Sequence, residues 1–425
     1  MKCSIKVIRP GASTTIQDLG RIGYQKFGIP VAGVMDEFAA LVANFLVGNE
    51  RNEAVLEITY LGPTLAFQEE MLISIAGADV SPKLNGVPVP VWESFAVKKD
   101  DVLSFGSVKS GVRAYIAFAG SIDVPPVNGS KSTLMKSKIG GFQGRMLQAG
   151  DELVICVRHG SVPQRLPARF IPVYPHSNDI SVCLGPQDDY FTEQGIADFF
   201  RQPYTITANA DRMGIRLDGA AVTHKTKADI ISDAAVIGSI QVPADGKPII
   251  LMADRQTTGG YAKIGTVIKE DIIKLAQMAS KDTVQFRRIS MEDAQQKYRA
   301  FYQKLEEIQK ALQDSANIGA KSSTADTVET ASTRGAGSLP SGTQSTGTAT
   351  NTAAVKETIC LPVPGTLSQI AVKTGDMVKE GDLLFTFEAM KMENDMTAPC
   401  SGTVGRIYKT AGDSSDTGEP VLELV

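Results

Sequence analysis

The sequence predicts a mainly β chain with a few helices: a body of two β lobes, a disordered linker, and a small flattened β-barrel at the end. Three observations carry this reading. Residues 54–160 alternate short apolar runs with turn residues, the rhythm of a barrel or sandwich. Residues 315–356 are dominated by Ser, Thr, Ala and Gly and show no apolar period. Gly365, Gly375 and Gly381 recur as Gly402, Gly412 and Gly418, each at an offset of 37.

In chain order, Ser4–Ile8 reads as a strand stopped by Pro10-Gly11. A helix is expected from about Met35 to Val47. Phe38, Leu41, Val42, Phe45 and Leu46 make its apolar face, Gly48 closes it, and Asp36 sits in its first turn. Met71–Ile75, Val87–Val91, Val112–Phe118 and Glu152–Val157 read as strands, with turns at Asn85-Gly86, Gly106 and Gly150-Asp151. Pro163, Pro167, Pro172 and Pro175 mark a connection between lobes.

The second lobe opens with strand Ile180–Leu184. A helix is expected near Tyr190–Phe200, a short one over Glu270–Gln277, and a strand over Thr283–Arg287. Gln256-Thr257-Thr258-Gly259-Gly260-Tyr261 reads as an exposed hairpin or a substrate-contacting loop. Ser290 with Asp293 forms a capping box. The helix it starts runs to about Gln313, with Ala294, Tyr298, Phe301, Leu305, Ile308 and Leu312 on one face, expected against the core. The domains are therefore read as 1–165, 166–290, a helix over 291–314, the linker 315–356, and a terminal domain over 357–425.

The linker cannot bury enough apolar surface to offset its ordering entropy. As flexible coil, its roughly 42 residues would reach about 35–40 Å and hold the terminal domain at about millimolar local concentration. Beyond it, Gly375-Asp376 and Gly412-Asp413 are matched turns between apolar runs such as Leu383–Phe387 and Val421–Val425. A pseudo-twofold pair of halves follows.

Composition limits the function classes. The 425 residues suffice for two or three domains, with 43% hydrophobic and 21% charged residues. A net charge of −4 offers no electrostatic case for nucleic acid or an anionic membrane. The five cysteines are scattered and never form Cys-x-x-Cys, which argues against a disulfide framework and structural zinc and fits a cytoplasmic protein. No apolar stretch is long enough to span a bilayer. The three histidines have no ligand spacing, so a protein-built metal site is not expected. Gly140-Gly141-Phe142-Gln143-Gly144-Arg145 offers backbone N–H groups to an anion, but no P-loop order is present.

Two resemblances sharpen the reading. Glu388-Ala389-Met390-Lys391-Met392-Glu393-Asn394 resembles the attachment hairpin of biotinyl carrier domains, whose signature is Ala-Met-Lys-Met. The resemblance implies a biotinyl/lipoyl-type barrel and covalent biotin on Lys391, flanked by Met390 and Met392. The first 290 residues resemble the biotin-dependent carboxyltransferase family that includes the C component of 5-oxoprolinase, the kinase regulator KipA and the carboxyltransferase half of urea carboxylase. The stretches that carry it include Gln17–Arg21, Gly33–Asp36, Gly129–Thr133, Gly140–Arg145, Gly185–Gln187, Asp211–Leu217, Gly238–Val242 and Gln256–Tyr261. It implies two cyclophilin-like β-barrel lobes. It also implies a carboxyltransferase-plus-carrier subunit that moves CO₂ from carboxybiotin on Lys391 to a urea-, amide- or lactam-like acceptor.

The implied partners are a biotin ligase, a separate biotin carboxylase subunit that uses ATP and bicarbonate, and a protein like KipI or the B component of 5-oxoprolinase. Two alternatives stand beside this reading: a KipA-like regulator without turnover, and the carrier-bearing subunit of an ATP-dependent 5-oxoprolinase.

Carboxyl transfer leaves charge on the ureido oxygen, which donors would stabilise. Arg21, Arg145 and Arg212 are the candidate donors, with the backbone of Gly140-Gly141. A neutral nitrogen acceptor needs a carboxylate to take or orient its proton, and Asp18 and Asp36 are the candidates. Gln17, Gln241, Gln256 and Tyr261 are the candidate substrate-positioning residues.

Overall fold

The computed structural model describes residues 2–323, 357–361, 365–389, 392–415 and 419–425. The chain separates into two compact units, Met1–Ala320 and Lys321–Val425.

The first lobe is built of two antiparallel sheets. The five-stranded sheet runs Ser13–Gln17, Val55–Thr59, Ser110–Phe118, Met71–Asp79, Glu93–Val97 in spatial order. A seven-stranded sheet centred on Lys2–Arg9 and Thr64–Phe67 faces it. Alternation in Lys2–Arg9 points Cys3, Ile5 and Val7 inward. They meet Leu56, Ile58, Phe67, Ile73 and Ile116 in one core. Met71–Asp79 and Ser110–Phe118 read as continuous apolar runs because they are buried on both faces. Helix α1 (Glu37–Leu46) covers the outer face, packing Leu41 and Phe45 into a cluster with Leu72, Ala76, Tyr115 and Ala117. A cyclophilin-like β-barrel was expected for this lobe; its strands form two sheets, not one closed ring. The seven-stranded sheet ends in the two-residue strands Lys83–Leu84 and Val87–Pro88 on one side and Gly120–Ile122 on the other, and no ladder joins the two sheets. The Asn85-Gly86 turn is as expected, with both residues at positive φ and Leu84 paired to Val87.

The second lobe is a closed barrel of seven strands: Ser177–Leu184, Lys263–Val267, Ser239–Gln241, Ile249–Leu251, Gly214–Asp218, Pro203–Ala210, Thr283–Arg288. Parallel pairing of Ser177–Val182 with Thr283–Arg288 closes it. Ile180, Val182, Ile206, Leu217, Ile240 and Ile264 fill the interior. Helix α2 (Glu193–Arg201), capped by Thr192, stacks Phe199 on Phe286 at 4.4 Å between ring centroids. Helix α3 (Lys269–Ala276) adds Ile272 and Leu275 to the same core. The expected Gln256–Tyr261 loop is partly regular: Thr258–Tyr261 pairs with Asp229–Ala234 as a two-stranded ribbon beside the barrel.

Helix α4 (Met291–Ser323) starts at the predicted box, where the Ser290 hydroxyl accepts from the Asp293 amide at 3.1 Å. It continues past the expected end near Gln313. From residue 324 to 356 the expected linker lies outside the described residues. Phe301, Leu305, Ile308 and Leu312 are buried against α1, whereas Tyr298 is half exposed and Ala294 only partly buried, so the buried face begins about two turns later than the spacing implied.

The terminal unit has two four-stranded sheets: Glu357–Cys360, Pro420–Leu424, Gly402–Ile407, Met377–Val378, and Met392–Thr397, Leu383–Ala389, Gly365–Ile370, Ser414–Ser415. A small flattened β-barrel was expected here; the strands form two four-stranded sheets. The repeat is structural. Gly375 and Gly412 have φ of 95° and 93°. Asp376 accepts from the Lys373 amide and Asp413 from the Thr410 amide, each at 2.8 Å. Each turn clasps the opposite half: Val404 N donates to Asp376 O at 2.8 Å and Leu367 N to Asp413 O at 2.9 Å. Gly418 lies outside the described residues.

Candidate functional site

Gln241, Gln256 and Tyr261, far apart in sequence, line one pocket of about 590 Å³ on the barrel lobe. Asp211 and Arg216 line it as well. Gln241 ends the strand Ser239–Gln241 and is buried. Its Oε1 accepts from Gln256 Nε2 at 3.2 Å. Its Nε2 has no partner among the described residues. A buried amide donor left open is costly unless something fills it. Gly259 lies directly against this amide: a Cβ there would sit 2.2 Å from Gln241 Nε2 and would push the side chain aside.

Sequence reasoning missed what stands beside Gln241. Lys263 is its register partner in the next strand and is only 1% exposed. Lys263 Nζ donates to Asp233 Oδ2 at 2.9 Å. Gln187 braces the pair, donating to Asp233 at 2.9 Å and accepting from the Lys263 amide at 3.1 Å. The hydrogen bond from Lys263, with that from Gln187, holds the Asp233 carboxyl below its ordinary range. The available signal was a lysine inside the apolar run Ala262–Val267.

The other candidates fall into separate groups. Asp18 is buried and saturated. It accepts from the hydroxyls of Ser130 and Ser132 at 2.6 Å each, and from the amides of Lys131 and Gly20 at 2.6 and 2.8 Å. Arg21 is fully buried beside it, with Nη2 on the Ser132 carbonyl and Nη1 without a partner among the described residues. Burial lowers the Arg21 pKa, and the charges of Asp18 and Asp254 oppose that shift. Gly140 lies against this guanidinium: a Cβ there would sit 2.6 Å from Arg21 Nη2 and 2.0 Å from Ser132 O. Two of the candidate donor groups, the Arg21 guanidinium and the Gly140 backbone, thus lie side by side. Gln17 donates to Thr15 Oγ1 and Thr133 O at 3.0 and 3.1 Å, and its Oε1 is buried without a partner.

Asp36 and Arg212 belong to the seam between the lobes. Asp36 is fully buried and caps α1, accepting from the Ala39 amide at 2.9 Å and from Gln277 Nε2 at 2.7 Å. Burial raises its carboxyl to about 6. Arg212 forms a bidentate pair with Asp254 at 2.8 and 2.9 Å, a third bond to Glu57 and a fourth to Gly33 O at 2.6 Å. Glu57 also accepts from Tyr115 OH at 2.9 Å. With carboxylates on both sides, the Arg212 pKa is raised even though burial opposes this. Every one of these bonds is internal, which makes the group a staple between lobes. Arg145 stands apart from all three groups. It pairs with Asp151 and lies over the Phe142 ring.

In the terminal unit, Leu383–Ala389 and Met392–Thr397 pair through to Ala389↔Met392. Phe385 and Phe387 anchor the hairpin in the core. Met390 and Lys391, the two residues between these strands in sequence, lie outside the described residues. A registered hairpin with the lysine in a two-residue connection fits covalent attachment of a cofactor. Among the described residues no cluster of His, Cys, Asp or Glu could hold a metal ion, and no helix is long and apolar enough to cross a membrane.

Comparison with known proteins agrees with this division. The family described as carboxyltransferase domain, subdomain A and B, matches residues 27–288, and the family described as biotin-requiring enzyme matches residues 357–424. The C component of 5-oxoprolinase from Escherichia coli (strain K12) is 37% identical over 290 residues, covering 68% of this chain and 93% of that protein. The crystal structure of Kluyveromyces lactis urea carboxylase superposes with a TM-score of 0.69 at 32% identity, over 72% of this chain and 29% of that one. The alpha chain of Mus musculus mitochondrial propionyl-CoA carboxylase is 45% identical over 67 residues, 16% of this chain and 9% of that protein.

Proposed function

The chain belongs to the family of carboxyltransferase domains built from subdomains A and B and carries a biotinyl-carrier domain behind it. From that premise we propose that it takes carboxyl groups from biotin on Lys391 to an amide-, urea- or lactam-like acceptor bound at the barrel pocket. One observation carries the reading: a biotinyl hairpin and a carboxyltransferase body share one chain. The biotin attached at Lys391 supplies the activated carboxyl group.

The body binds and orients the acceptor. Gln241 Nε2, buried and unpartnered, donates to the acceptor carbonyl. Gln256 and Tyr261 line the same pocket and hold the rest of the molecule. Asp233, kept ionised by Lys263 and Gln187, takes the proton of the acceptor nitrogen. Asp233 is the more accessible carboxyl: its side chain is 48% exposed, whereas Asp18 and Asp36 are buried under their internal donors. Arg21 and Gly140 remain the candidates for stabilising charge on the carboxyl donor. A separate biotin carboxylase, a biotin ligase and a companion like KipI or the B component of 5-oxoprolinase complete the system. Coverage of 93% of a 5-oxoprolinase C component favours a second reading, ATP-dependent opening of a lactam.

The test starts with protein from cells that hold an active biotin ligase. Mass spectrometry is expected to find biotin on Lys391 and none in Lys391→Ala. With the carboxylase and the companion protein added, labelled bicarbonate is expected to pass to urea, guanidine or 5-oxoproline in an ATP-dependent manner. Gln241→Ala is expected to stay biotinylated and to raise KM roughly tenfold to a hundredfold, the loss of one buried hydrogen bond. Lys391 found unmodified would overturn the proposal. Opening of 5-oxoproline without label fixation would favour the second reading.

A further inference from the structure

A second pocket lies on the body, away from the barrel pocket and using none of its residues. It holds about 480 Å³ between α3, α4 and the proline-rich connection. Phe38, Pro172, Met278 and Phe301 supply apolar wall. A volume of this size with such walls suits a small organic molecule.

Its polar groups are poorly matched to one another. The Tyr174 hydroxyl is buried without a partner among the described residues. Both carboxylate oxygens of Glu270 are buried and receive no hydrogen bond from another of the described residues. Burial raises the Glu270 pKa, which favours its neutral, donating form. Three lysines face two acids in the lining. Lys274 is taken by Asp271 at 2.6 Å. Lys297 makes only a 3.5 Å contact to the Ser181 hydroxyl, and Lys304 lies 4.9 Å above the Phe38 ring. Neither of these two lysines is in an ion pair among the described residues. The open groups are therefore mostly donors, and the lining carries one excess positive charge with Glu270 ionised and two with it neutral.

We propose that this pocket is a separate ligand site for a monoanionic carboxylate with an apolar tail. The carboxylate meets Lys297, Lys304 and the Tyr174 hydroxyl, and the tail lies on Phe38 and Phe301. The proposal is independent of the reaction assigned to the barrel pocket.

The protein carries its own reporter. Trp92 is the single tryptophan, is buried, and packs on Phe38 with ring centroids 6.0 Å apart. The full-length protein is titrated with octanoate, octylamine and acetate while Trp92 fluorescence is followed. Octanoate is expected to give a saturable change. Octylamine, of the wrong charge, and acetate, without a tail, are expected to bind at least roughly tenfold more weakly. Lys297→Met with Lys304→Met, both exposed positions, is expected to weaken octanoate by roughly tenfold to a hundredfold. Ala300→Phe, also at an exposed lining position, is expected to fill the pocket and abolish the change. Equal binding of octylamine and octanoate, or an octanoate response that survives Ala300→Phe, would overturn the assignment.

Discussion

Asp36 shows how one residue can be read closely for position and incompletely for energy. The sequence puts it in the first turn of a helix opening near Met35; the structure makes it the N-cap of α1, which begins at Glu37. Its full burial is not legible in the sequence, since that depends on Gln277, which arrives from the second lobe. Burial moves the carboxyl from 3.8 to about 6. The folded state then holds this proton more tightly than the unfolded chain does. Between about pH 4 and pH 6 the folded state binds more protons, so the contribution of Asp36 to stability falls as pH rises through that window. Below the window both states are protonated and the penalty is absent; above it the full penalty applies. Two units correspond to about 3 kcal/mol. Asp36→Asn cannot ionise and still offers a capping oxygen. The stability of the natural protein relative to this variant is therefore expected to drop by about 3 kcal/mol from pH 4 to pH 7 in urea unfolding. A difference that stays flat across that range would show that the carboxyl is not strained by its site.

Among the elements, helices were the most legible and the barrel the least. The Ser290 box and the 3.6-residue spacing of Phe301, Leu305, Ile308 and Leu312 are local facts, and α4 follows them. Leu305 is fully buried against the α1 cluster. Leu305→Ala is expected to cost about 2–5 kcal/mol by denaturant titration. Glu306→Ala, one position on and exposed, is expected to change stability by no more than about 0.5 kcal/mol. Similar costs at both positions would mean that this face does not pack as described. Barrel closure, by contrast, joins Ser177–Val182 to Thr283–Arg288, strands that no local pattern connects. The same non-locality hid Lys263 and Asp233, which meet only once the ribbon Asp229–Ala234 folds beside the barrel. Gln241, Gln256 and Tyr261 could be named from the sequence, but their sharing one pocket required the pairing of strands. The glycine repeat of the terminal unit was readable for the opposite reason. Gly375 and Gly412 must adopt positive φ wherever that turn is built, so the chain keeps them at matching places.

At the scale of the molecule, each unit has its own core. The body is held by three clusters of buried side chains, and the terminal unit by one centred on Leu367, Phe385, Phe387, Val404 and Leu422. A carrier that serves more than one site should unfold without reference to the body, because any energy shared between them would favour one position over the others. Two thermal transitions are therefore expected in calorimetry of the full chain. Phe385 is fully buried. Phe385→Ala is expected to remove about 3–5 kcal/mol from the terminal unit. In a domain of that size this lowers its transition by at least about 10 °C. The body's transition should not move. Leu305→Ala should do the reverse. A single transition, moved by both substitutions, would mean that the carrier is thermodynamically part of the body. Free movement of the terminal domain would then no longer support the proposed delivery of a carboxyl group from Lys391 to the body.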